Sequence, residues 1–193
     1  MKCLYCDKRI EEETLVSMFL LKDDLCPACR RAMKFHYRRF VMDGMRIETF
    51  YEYDSLYRSM LLQYKECYDE ALKDIFLYGI SDYIRLRYHG YKIAYVPSSQ
   101  KKITERGFDH LRLMCSSLHM EEIGGLKQIE ERCQENKDHT ERKKMMNNYL
   151  YTGQKEKRVL IVDDVLTSGS SLYGVYRALR NDVEHISAVV FAK

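Results

Sequence analysis

Two adjacent carboxylates, Asp163 and Asp164, end the apolar run 159–162, and a hydroxyl-rich turn, Thr167-Ser168-Gly169-Ser170-Ser171, comes just after them. A helical pattern follows, with Leu172, Val175, Tyr176 and Leu179 on one stripe. A helix starting near Gly169 leaves several backbone N–H groups without intrahelical partners, and these point, with the positive end of the helix dipole, toward an incoming anion. Glycine lets the backbone approach that anion closely, and the hydroxyls of Thr167, Ser168, Ser170 and Ser171 add donors. Paired carboxylates suit vicinal ribose hydroxyls, and a Mg²⁺ chelated by ribose and pyrophosphate oxygens would relieve the repulsion between those acids and the substrate. The expected chemistry over 158–180 is a cradle for a ribose 5-phosphate. The plainer alternative is an aspartate capping a helix beside a serine-rich turn.

A second constellation lies at the other end of the chain. Cys3-x-x-Cys6 and Cys26-x-x-Cys29, with residues 7–25 between the pairs, have the spacing of a structural zinc site, each short loop placing two sulfurs on one side of the ion. Four thiolates leave no open position for water, so catalysis at such a zinc is not expected. Cys67, Cys115 and Cys133 are read as packing residues.

Next to the cysteines, Arg30, Arg31, Lys34, Arg38 and Arg39 interleave with Phe35, Tyr37 and Phe40. Cations that neutralise phosphates and rings that stack on bases are what sequence-tolerant binding of single-stranded nucleic acid uses. An amphipathic helix with buried rings and solvated charges accounts for the same residues. Arg142, Lys143 and Lys144 form a smaller basic patch, and Glu11 to Glu13 read as solvated surface.

These residues need a scaffold. Ala32 to Phe40 has the pattern of a helix and Ile47 to Tyr53 that of a strand. Two helices, or one interrupted helix, are predicted over 55–88 from the spacing of Leu56, Met60, Leu61, Leu72, Ile75, Phe76, Ile80 and Ile84. Short apolar runs at 93–96, 159–162 and 186–191 alternate with helical segments, which favours a parallel sheet covered on both faces. The expected organisation is an N-terminal zinc module over 1–42 and an α/β domain over 43–193. With 46% apolar and 32% charged residues, disorder is not expected, and a net charge of +3 is too small by itself to announce nucleic-acid binding. No apolar stretch approaches the roughly 18 residues needed to span a bilayer. Cys3 stands too near the start for a signal peptide, so a cytoplasmic location is expected.

The string VLIVDDVLTSGSSL resembles the phosphoribosyl-pyrophosphate motif of type I phosphoribosyltransferases, with serines at two positions where threonine is frequent. The resemblance implies that type of fold, with Asp163 and Asp164 on the ribose hydroxyls, Thr167 to Ser171 on the 5-phosphate, and Mg²⁺ bound with phosphoribosyl pyrophosphate. The segment YVPSSQKKITERGFDHLRLMC resembles a Val-Pro to Arg-Gly-Phe stretch of the ComF family, whose members also carry an N-terminal four-cysteine zinc module. By that resemblance, Val96 to Ser99 would cup pyrophosphate, residues 100–107 would be a mobile loop, and Arg106 would meet phosphate oxygens, while Lys101 and Lys102 read as solvated. Ser98 and Ser99 replace a second Val-Pro, and Asp109-His110 replaces the usual Asn-Gln.

The ComF family is associated with DNA uptake during natural transformation. The resemblance therefore implies cytoplasmic handling of incoming single-stranded DNA, at the inner face of the membrane through partners such as the helicase-like ComFA protein and cytoplasmic recombination proteins. Two other roles fit the same pocket: an active phosphoribosyltransferase on a nucleobase-like acceptor, with Asp163 and Asp164 as its catalytic residues, or a regulator that senses phosphoribosyl pyrophosphate.

Overall fold

The computed structural model describes residues 1–10, 23–129 and 148–193. Helix α1 (Pro27–Ala32) leads into strands β1 (Phe35–Met42) and β2 (Met45–Tyr51), and then into helix α2 (Ser55–Glu66), a 3-10 helix (Glu70–Ile75) and helix α3 (Ser81–Arg87). Strand β3 (Lys92–Tyr95) is followed by helices α4 (Gln100–Arg106) and α5 (His110–Met114), the small hairpin β4 (Leu126–Gln128) and β5 (Tyr149–Tyr151), strand β6 (Glu156–Val165), helix α6 (Ser170–Leu179) and strand β7 (Val183–Ala192).

The central sheet runs β1-β2-β7-β6-β3. β2, β7, β6 and β3 are mutually parallel and β1 is an antiparallel edge. The expectation of a mixed α/β fold on a mostly parallel sheet is met. Val159 to Val162 and Ala188 to Ala192 are fully buried, as unbroken apolar strands must be when both faces are covered. Neighbouring residues on a strand point to opposite faces. Phe50 packs on Tyr83 of α3 (5.9 Å between rings) and Tyr51 on Tyr57 of α2 (5.7 Å), so these two helices cover opposite faces. Tyr57 and Tyr64 both pack on Phe76, at 5.5 and 5.7 Å.

One expected helix is a strand. α1 stops at Ala32, and Ala32 to Phe40 continues into β1, paired with β2 from Phe35↔Tyr51 to Met42↔Met45. The cause is the turn between the strands. Asp43 (φ 48°) and Gly44 (φ 84°) both adopt left-handed φ, as a two-residue hairpin of the Asp-Gly kind demands. Consequently the last residues of the stretch expected as a zinc module, Phe35 to Met42, hydrogen-bond into the sheet. The loop expected over 100–107 is also ordered, as α4, with Ser99 Oγ accepting from the Lys102 N–H (3.4 Å) and Gly107 closing the helix at φ 84°.

Tyr57 is fully buried and its hydroxyl has no hydrogen-bond partner among the described residues. Burying an unpaired hydroxyl costs about 1–3 kcal/mol, so Tyr57→Phe should hold or raise the melting temperature in thermal unfolding. Phe76→Ala, which empties the same aromatic cluster, should cost about 3–5 kcal/mol.

Candidate functional site

β3 and β6 end side by side, with Tyr95 paired to Val162, and their carboxyl ends open into a cleft of about 560 Å³. That volume lies within the roughly 300–1,000 Å³ typical of small-molecule sites. Asp163, Asp164, Thr167 and Ser171 line it from the β6–α6 side, and Ser98, Ser99 and Lys102 from the β3–α4 side. Residues expected from two distant segments therefore share one cavity. Ser168 and Ser170 are exposed in the turn, their hydroxyls 2.9 Å apart. Gly169 is buried in the left-handed conformation (φ 73°), and a side chain there would press on Met42 Cε at 3.3 Å.

The two acids differ sharply in surroundings. Asp164 Oδ2 is ion-paired with the Lys65 ammonium and lies 3.3 Å from His110 Nε2, with all three side chains largely buried. Burial alone would raise Asp164, but the hydrogen bond from His110 and the charge of Lys65 outweigh it and hold this carboxyl well below the usual range. Asp163 makes no ion pair among the described residues, and the Lys65 charge only partly offsets what raises it. Burial, and then the negative charge of Asp164, push its carboxyl well above the ordinary value, although its Oδ1 accepts the Asp164 N–H at 2.9 Å.

Arg106 acts from behind. Its guanidinium does not line the cleft; Nε donates to the Lys65 carbonyl (2.9 Å), Nη1 to His110 Nδ1 (3.2 Å), and Nη2 lies 3.5 Å from Glu66. A guanidinium can only donate, so His110 Nδ1 must accept, which leaves the imidazole proton on Nε2, facing Asp164. Burial, partly opposed by Asp164, lowers the His110 pKa and favours this neutral form. Phosphate contact by Arg106 was the expectation; the structure gives it the task of fixing a histidine tautomer.

Among the cleft residues that sequence reasoning missed are Lys65 and His110. His110 stood out only as a departure from a family pattern, and Lys65 carried no local signal, since its position depends on how α2 packs. Tyr53, Leu61 and Leu62 form an apolar wall, and Tyr149 and Gln128 approach from the β4–β5 hairpin. Burial raises the Tyr149 hydroxyl, while a hydrogen bond with Ser171 lowers it.

At the N-terminal end the four cysteine sulfurs, of Cys3, Cys6, Cys26 and Cys29, lie within 4.8 Å of one another. Cys6 Sγ and Cys26 Sγ are 3.7 Å apart. Metal–sulfur bonds of about 2.3 Å in a tetrahedron space the sulfurs about 3.8 Å apart, so the donor set fits zinc. Burial and then the neighbouring thiols push the Cys29 thiol up. Burial also acts to raise Cys3, but backbone N–H groups of Cys26, Cys6 and Tyr5 bring it down to about 7. A dication would offset the mutual repulsion of four thiolates at this spacing.

The basic residues considered for nucleic acid have different fates. Arg30 pairs with Asp23 (2.6 Å), donates to the Ile75 carbonyl (2.8 Å) and stacks on Tyr78 (4.5 Å), so it fastens the cysteine cluster to the main body. Arg39 pairs with the buried Glu48 (2.9 Å) and Lys34 with Glu52 and Asp54 (3.5 Å each). Arg38 donates to His36 (3.1 Å), and Arg31 is exposed. Cys133, Arg142, Lys143, Lys144 and Glu11 to Glu13 lie outside the described residues. No helix among the described residues is long and apolar enough to cross a membrane. No family model matches the chain, and no curated protein matches it.

Metal analysis of protein purified without chelator should find about one zinc per chain, and Cys26→Ala should lose it together with thermal stability. Retention of both would rule out this ligand set. Because folding depresses the His110 pKa below its ordinary 6.5, the unfolded chain takes up a proton that the native chain refuses, so stability falls as pH drops below that value. His110→Gln, which still offers a donor to Asp164, should flatten the melting curve's pH dependence between about pH 7 and 5; an unchanged slope would show that His110 is not the titrating group.

Proposed function

We propose that this protein binds phosphoribosyl pyrophosphate in the cleft at the carboxyl ends of β3 and β6, on a fold of the type I phosphoribosyltransferase kind. The observation that carries this is the meeting, in one cavity, of Asp163, Asp164, Thr167 and Ser171 with Ser98 and Ser99. The 5-phosphate sits at the turn 167–171, on hydroxyls and on the unpaired N–H groups that open α6. Asp163 and Asp164 accept from the ribose hydroxyls. The pyrophosphate lies toward Ser98 and Ser99, with Lys102 rather than Arg106 within the same cavity.

Mg²⁺ fits this donor set through Asp163, the acid with no ion pair; Asp164 already has Lys65. Bound there, the ion supplies charge neutralisation for the pyrophosphate. Lys65 and His110 keep Asp164 ionised and oriented, so that one acid of the pair is ready before the ligand arrives.

The resemblance to the ComF family extends this proposal to handling single-stranded DNA during natural transformation, with a ComFA-like helicase and recombination proteins as partners. Among the cations beside the cysteine cluster, Arg31 and Arg38 are exposed and make no ion pair among the described residues, next to the exposed rings of Phe35 and Tyr37. The apolar wall of Tyr53, Leu61 and Leu62 favours a second reading, transfer of the phosphoribosyl group to a flat acceptor base. Positioning and charge stabilisation would then supply the catalysis, with Asp163 and Asp164 on the sugar as it becomes cation-like.

Calorimetric titration with phosphoribosyl pyrophosphate and Mg²⁺ tests the pocket. Wild type should bind, and a folded Asp163→Asn/Asp164→Asn variant should bind at least about tenfold more weakly, given that each charge-assisted hydrogen bond is worth about 1.5–3 kcal/mol. Equal affinity, or no binding by either protein, contradicts the proposal. Pyrophosphate release across a panel of bases separates the transferase reading from binding alone.

A further inference from the structure

The sheet has a second polar cavity at its opposite end, of about 620 Å³. It lies where β2, β6 and β7 begin, so the length of β6 separates it from Asp163 and Asp164. Arg46 and Arg158 stand near the starts of β2 and β6, His185 near the start of β7, and Arg180 just beyond α6. The register sets Arg158 beside His185 and Arg46 beside Ser187, which gathers these residues near the amino ends of three neighbouring strands. Glu184 is the one carboxylate among the described lining residues.

The arginines packed around the core and the other cleft are neutralised by acids. Arg30, Arg39, Arg106 and Arg112 each face a carboxylate, on Asp23, Glu48, Glu66 and Glu122. Arg46, Arg158 and Arg180 have no ion pair among the described residues, and the Arg158 guanidinium lies 5.9 Å from the Tyr91 ring. Like charges gathered around a concave surface repel one another and raise the local concentration of anions. Guanidinium forks match phosphoryl oxygens in pairs, and three forks offer more donors than one phosphate can accept.

We infer that this cavity is a binding site for a small ligand carrying two or more phosphoryl groups, separate from the cleft at the carboxyl ends of the strands. Arg46, Arg158 and Arg180, which line the same cavity, hold it.

Inorganic tripolyphosphate is the probe, titrated calorimetrically into the full chain at fixed salt. Arg158→Ala and Arg180→Ala remove exposed side chains, and circular dichroism confirms that the variants are folded. Each should weaken binding about tenfold, and Arg158→Lys, which keeps the charge but loses the fork, should fall between. The same losses should appear when Arg158→Ala is added to Ser171→Glu, which puts a negative charge in the phosphate cradle of the other cleft and so isolates this site from it. Absence of binding, affinity that ignores Arg158 and Arg180, or dependence on them for a single-stranded oligonucleotide but not for tripolyphosphate would each overturn the inference.

Discussion

Two carboxylates next to each other at the end of a buried strand cannot both be left uncompensated, and much of the structure around β6 answers that constraint. Side chains alternate along a strand, so Asp163 and Asp164 leave it in opposite directions and meet different neighbours. Asp164 meets Lys65 of α2 and His110 of α5. Asp163 lines the cleft and makes no ion pair among the described residues. One acid is thus held toward its ionised form and the other toward its neutral form, a separation that environment alone produces from identical side chains.

Holding Asp164 ties several helices together. Arg106 at the end of α4 reaches both the Lys65 carbonyl and His110, and the Tyr64 hydroxyl donates to the His110 carbonyl at 2.8 Å. α2, α4 and α5 are therefore cross-linked by polar contacts behind the cleft, while Tyr57 and Tyr64 anchor α2 on Phe76. The cysteine cluster joins the same assembly through Arg30, which bonds the carbonyl of Ile75, the residue before Phe76. The four-cysteine cluster is in this way connected to the wall of the cleft through a few named contacts.

Much of this was legible in the sequence where chemistry and local pattern coincide. The run 159–162, the acids and the turn 167–171 predict a strand, a loop and a helix, and the structure has β6 and α6 there. The paired cysteines predict a cluster, and their sulfurs meet. The apolar repeats over 55–88 predict helices, and three short helical segments are present. Ala32 to Phe40 was misread because its charges and rings fit a helical wheel as well as an edge strand, while the deciding signal, Asp43-Gly44, lay beyond it. Lys65, and the inward turn of Arg106, were not legible at all. Both depend on which helices pack behind β6, and nothing local encodes that.

Carboxyl-carbon NMR of selectively labelled protein, followed through an acid titration, observes the asymmetry of the acid pair directly. Asp163 should titrate above the ordinary carboxylate range and Asp164 below it, and the Asp164 midpoint should rise in Lys65→Met while the fold is retained. Two aspartates titrating together near the ordinary value, unmoved by loss of Lys65, would contradict the division of roles on which the cleft's proposed chemistry rests.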